Sequence, residues 1–101
     1  MSHEDAIMVR VYLAESDHEL KPLVHVLRDE LGVRGVTVLR AIEGYGPSGR
    51  THAASLVDLS LDLPLVVEFF DAPEPARAAI ARIRHQVKPG HIVSWPVTIE
   101  S

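Results

Sequence analysis

The chain has 101 residues, 47% hydrophobic and 24% charged, the size and composition of one globular domain. Ten basic against fourteen acidic side chains leave a net charge of −4, so there is no basic field to draw in nucleic acid. The lack of cysteine excludes disulfides, thiolate metal sites and a Cys nucleophile. No apolar run approaches the ~20 residues of a membrane span and the N-terminus has no signal-peptide core, so a cytoplasmic protein without membrane insertion is expected.

Ile7, Val9, Val11 and Leu13 alternate with Met8, Arg10 and Tyr12, the period-2 pattern of a half-buried strand. Residues 1–5 before it are expected to be disordered. Leu20, Leu23, Val24, Leu27 and Leu31 follow at the spacing of an amphipathic helix. Ser16 and Glu19 resemble a capping box, but Pro22 is tolerated only in a first turn, so the helix is expected from Lys21–Pro22 to Gly32. A second strand runs from Val36 to Ile42. Leu65–Phe70 is a third, apolar enough to be central. Asp71-Ala72-Pro73-Glu74 starts a helix, with proline in its first turn and an acid near the positive dipole end. Ala76, Ala79, Ile80, Ile83 and Val87 form its buried stripe, and Pro89-Gly90 is expected to stop it. The last strand is Ile92–Ile99, where Pro96 requires a sheet edge.

The order β-α-β-β-α-β with short crossovers predicts a ferredoxin-like α+β fold, an antiparallel four-stranded sheet with both helices on one face. The other face then lacks a cover. By alternation Met8, Tyr12, Leu39 and Trp95 are candidates for it, although the alternation alone does not fix which phase meets the helices. An uncovered apolar sheet face favours self-association. Residues 44–62 form a long excursion between strands, and such loops are usually functional. Within it, Thr51–Leu61 can hold a short helix, with Ala54, Val57 and Leu61 on one face.

GVRGVTVLRAIEGYG, the small-residue loop, and LSLDLPLVVEFFDAPE, with VYLAESD and KPLVHVL upstream, resemble the PII-like signalling proteins of domain-of-unknown-function family 190. The resemblance spans about residues 7–99 and departs at Ala41, where the family pattern has glycine. It implies a PII-like homotrimer whose subunit clefts bind a small effector, expected to be an adenine nucleotide. It also implies a partner contacted through the loop after the second strand, and points to a membrane transporter or ion exporter. No enzymatic activity is implied, and no cofactor beyond that nucleotide.

Gly44-Tyr45-Gly46-Pro47-Ser48-Gly49 is a literal GxGxxG. The dinucleotide fingerprint also needs a parallel βαβ unit and a following helix, which this chain is too short to supply in full. A loop hinge or a phosphate-cradling turn remains. Arg40, Arg50 and His52 flank it; arginine suits bidentate phosphate contacts, whereas Arg40 paired with Glu43 or with a neighbouring subunit is the plainer alternative. In PII proteins the turn matching Lys88-Pro89-Gly90-His91 is glycine-rich, carries a lysine and touches phosphate; the plainer alternative is a helix C-cap. The expected ligand-binding set is therefore Arg40, Glu43, Gly44, Gly46, Arg50, His52, Lys88 and Gly90.

Glu43, Asp58, Asp62 and Glu68 show no spacing that pairs them as acid and base. The six histidines lack metal-site spacing, so no metal ligand and no catalytic residue is assigned. Two other classes remain as alternatives. An acylphosphatase-type enzyme would need an amide to orient water, and the chain has no asparagine and only Gln86. A CutA-like metal-tolerance trimer would need histidines assembled across subunits.

Overall fold

The computed structural model describes residues 2–45, 51–53 and 63–101. Strand β1 (His3–Ala14) leads through a 3-10 turn (Glu15–Asp17) into α1 (Leu20–His25), which continues as a π-helical turn (Val26–Glu30). Then come β2 (Gly35–Arg40), the short strands β3 (Glu43–Tyr45) and β4 (Thr51–Ala53), and β5 (Pro64–Asp71). Helix α2 (Pro73–Ile83) runs into a 3-10 turn (Arg84–Gln86), and β6 (Ile92–Glu100) ends the fold. The main sheet has the order β2-β5-β1-β6, all neighbours antiparallel, which is the expected ferredoxin-like arrangement. Pro96 lies opposite Ile7 on β6, an edge strand, where its missing donor is tolerated.

One phase of the strands faces the helices. Val9, Val11 and Leu13 of β1 and Leu65, Val67 and Phe69 of β5 are buried there against Leu23, Val26, Leu27, Ala79 and Ile83. Ala76 and Ala79 leave room for α2 to lie close on the sheet, and both are almost fully buried. The opposite phase forms rows across the open face: Trp95–Met8–Phe70–Gly35, Val93–Arg10–Glu68–Thr37 and Tyr12–Val66–Leu39. Met8, Tyr12, Leu39 and Trp95 thus share this face, as the alternation allowed.

In α1, Pro22 falls in the first turn, and Leu23 N–H makes an early helical bond to Glu19 O at 3.0 Å. The helix closes on a wide turn, with Leu31 N–H bonded to Val26 O at 2.9 Å. The extra residue per turn brings Val26 into the core beside Leu27 and rotates Leu31 outward, leaving it 39% exposed. Leu31 therefore leaves the stripe expected for it. Helix α2 also ends earlier than expected. It gives way at Arg84 to a 3-10 turn, and Val87 reaches the core from an extended backbone rather than from a helix.

Three further expectations are corrected. His3–Asp5, expected to be disordered, extend β1 and pair with Thr98–Glu100. Thr51–Ala53, expected to begin a helix, instead pair with Glu43–Tyr45 as a hairpin; residues 54–61 of that segment lie outside the described residues. The excursion 44–62 is therefore a hairpin at its base rather than a plain loop.

Candidate functional site

The C-terminal ends of β1 and β2 and the starts of β5 and β6 meet at one end of the sheet. Backbone bonds fix that end. Glu15 N–H donates to Leu63 O at 3.2 Å, and Ala41 N–H donates to Pro64 O at 2.8 Å. Tyr12 N–H donates to His91 O at 2.9 Å, which attaches the start of β6. The 3-10 turn Glu15–Asp17 stands in the middle. Its shape is set by Ala14 N–H, which donates to Asp17 Oδ2 at 3.0 Å, and by His18, which closes it in a left-handed conformation at φ 56°.

Two cations reach this turn from opposite sides. Arg40, the last residue of β2, places Nε 2.6 Å from Glu15 Oε1. The contact is an ion pair without an aligned hydrogen bond, and that carboxylate oxygen is shielded from solvent. Lys88 donates from Nζ to Asp17 Oδ1 at 3.2 Å. Lys88 sits at the head of a tight turn in which His91 N–H donates back to Lys88 O at 3.2 Å. Pro89 and Gly90 occupy its centre, and Gly90 at φ 81° supplies the positive angle that a type II turn requires. Space is not the constraint, since a Cβ on Gly90 would meet nothing within 4 Å. The helix-cap alternative for this segment is thus replaced by a turn. Beside it an open cleft of about 280 Å³ is lined by Tyr12, Asp17, Glu19, His85, Lys88 and His91, among others.

The structure brings together part of the expected set. Arg40, Lys88 and Gly90 lie at this end of the sheet, and the hairpin of Glu43 and Gly44 begins three residues after Arg40. Gly44 is opposite His52 in the hairpin, and a Cβ on Gly44 would lie 3.3 Å from Pro64 Cγ, which holds the hairpin close to β5. Glu43 is exposed and pairs in register with Ala53. Gly46 and Arg50 lie outside the described residues. Arg40 pairs with Glu15, where the plainer alternative had it paired with Glu43 or with an acid of a neighbouring subunit. Glu15 and Asp17 were missed by sequence reasoning. Their signal was the acidic Glu-Ser-Asp at the point where the β1 alternation stops.

The open face carries a second charged feature. Arg10 Nε donates to Glu68 Oε2, and the guanidinium lies 5.4 Å from the centre of the Trp95 ring. The hydrogen bond from Arg10 to Glu68, followed by one involving Tyr12, holds the Arg10 pKa above its ordinary value. Among the described residues no group of three His, Asp or Glu side chains is placed to hold a metal, and no helix is long and apolar enough to cross a membrane.

Residues 6–99 match the family model DUF190, described as "Uncharacterized ACR". A UPF0166 protein of Aquifex aeolicus (strain VF5) is 33% identical over 81 residues, covering 76% of this chain and 77% of that protein. Among solved structures, CPII from Thiomonas intermedia K12 bound to ADP and bicarbonate superposes with a TM-score of 0.68 at 17% identity, covering 99% of this chain and 91% of that one. CPII is described as a nitrogen regulatory PII-like protein. CutA1 from Oryza sativa gives a TM-score of 0.63 at 14% identity, covering 97% of this chain and 83% of that one. At such identities these structures speak to the fold. With the family match over nearly the whole chain and the sheet order above, the chain belongs to the DUF190 family and has the PII-like form of the ferredoxin-like fold.

Proposed function

We propose that this chain is a non-enzymatic PII-like regulatory subunit, acting in the cytoplasm, that binds an adenine nucleotide at the sheet end carrying Arg40 and Lys88. The observation that carries the reading is the approach of these two cations, from opposite edges of the sheet, to one three-residue turn. Both side chains are mostly solvent-exposed and can turn toward a phosphate. Within the Lys88–His91 turn Pro89 has no N–H and that of His91 is bonded to Lys88 O, so the N–H of Gly90 is the backbone donor at its centre that suits an anion. The fold is shared with CPII, which has been solved with ADP.

In this reading three copies assemble through the open face, where Tyr12, Leu39, Val93 and Trp95 are exposed. Such a patch is a liability on a monomer and a resource for a closed ring. The nucleotide then sits in a cleft between subunits. Its phosphates draw on Arg40 beside the base of the β3–β4 hairpin, and residues 44–62 carry the change to a partner, for which a membrane transporter or ion exporter is the proposed class. Ligand would act by shifting the hairpin between two populations, which requires different affinity for each.

Hydrogen exchange of the full chain with and without ADP tests the coupling. Saturating ADP should slow exchange at the hairpin amides of Gly44, Tyr45 and Thr51–Ala53. Exchange unchanged at those amides with the nucleotide bound would detach the hairpin from the site.

A further inference from the structure

Both cations of the proposed anion site are already occupied, and by carboxylates of the same turn. Glu15 faces Arg40, and Asp17 faces Lys88. The four charges cancel. Neither acid is a casual surface neighbour: their side chains are only 30% and 19% exposed, against 65% for Arg40 and 68% for Lys88. Asp17 is further fixed by Ala14 N–H on its second oxygen, and Glu15 by its backbone bond to Leu63. The acids are thus held in place while the bases are free to swing.

We infer that Glu15 and Asp17 are counter-charges that a ligand must outcompete for Arg40 and Lys88, so that they hold down the affinity of the site for anionic ligands. The inference rests on the reading of this sheet end as a nucleotide site. A neutral ligand such as adenosine offers nothing in exchange for the two ion pairs. A diphosphate offers several negative charges and more acceptor oxygens than either carboxylate, with the charge-assisted geometry that arginine favours. The exchange is accessible because ion pairs with exposed partners are weak. It also carries a cost. Each carboxylate remains near the bound phosphate and opposes it, and the shielded Glu15 oxygen loses its counter-charge when Arg40 turns away.

The test is titration calorimetry of the full chain with ADP and with adenosine, comparing wild type with Glu15→Gln and Asp17→Asn. Both substitutions keep side-chain length and an acceptor oxygen, so Ala14 N–H retains a partner. ADP affinity should rise about two- to fivefold in each variant, with adenosine unaffected. Equal or weaker ADP affinity in the variants, with wild type binding normally, would overturn the counter-charge role and leave the nucleotide reading standing. An equal gain for adenosine would also overturn it, since a merely loosened turn admits both ligands. Failure of every form to bind ADP would overturn the nucleotide reading and the inference together.

Discussion

Phe70 closes over Gly35 on the open face of the sheet: a Cβ built on Gly35 would stand 2.8 Å from Phe70 Cε1. The two residues are direct partners in the β2–β5 ladder, so the ring lies across the neighbouring backbone. Gly35→Ala would have to push an aromatic ring off its seat, and is expected to destabilise the fold by about 1–3 kcal/mol. Urea unfolding measures this, and the double variant Gly35→Ala/Phe70→Leu should recover part of the loss. A neutral Gly35→Ala would show that the ring moves freely.

The helix-facing core predicts a larger effect. Phe69 and Leu27 are almost wholly buried among the same side chains. Phe69→Ala should cost about 3–5 kcal/mol and Leu27→Ala about 2–5 kcal/mol, through lost transfer energy and the cavity left behind. By contrast Ile42, 82% exposed, should tolerate replacement by Ser with little change in stability.

Acid should weaken the far end of the sheet in a defined way. Arg34 Nη1 and Nη2 donate to Glu4 Oε1 and Oε2 at 2.9 and 2.8 Å. This hydrogen bonding, with the Arg34 charge, holds the Glu4 pKa below its ordinary 4.5. The stabilisation is therefore complete above that ordinary value and is lost as pH falls through the lower folded value. Melting temperatures of wild type and Glu4→Gln should differ near neutral pH and converge as pH falls below the ordinary carboxylate range. A gap that persists undiminished in acid would assign the effect to packing rather than charge.

Assembly through the open face has its own test. Light scattering should give a trimer for wild type, and Trp95→Asp should dissociate it, because the substitution removes the aromatic contact and puts a carboxylate into the interface. A wild-type monomer, or a trimer indifferent to Trp95→Asp, would move the interface elsewhere.

The order of elements was readable because the strands alternate and the helices keep their stripes. The phase of β1 was left open, because Met8 and Tyr12, on the side of Arg10, are themselves large enough apolar bodies to be covered. Only the docking of Leu23, Leu27 and Ile83 decides which side is covered. The β3–β4 hairpin escaped notice because strands of three residues are too short for any alternation to register. The π-helical turn has no composition signature, and Leu31 fits the stripe of an unbroken helix. Arg40 and Lys88 were readable as bases beside glycines, but their partners were not. Lys88 and Asp17 are 71 residues apart, and local sequence around Asp17 signals only the end of a strand.

The most direct measurement is calorimetric titration of the purified protein with AMP, ADP, ATP and cyclic nucleotides, with Lys88→Ala and Arg40→Ala alongside. The account predicts saturable binding of at least one of these near one site per subunit. Each substitution should weaken it by about tenfold or more, as expected for loss of a charge-assisted phosphate contact. No heat with any nucleotide, or binding that neither substitution changes, would contradict it.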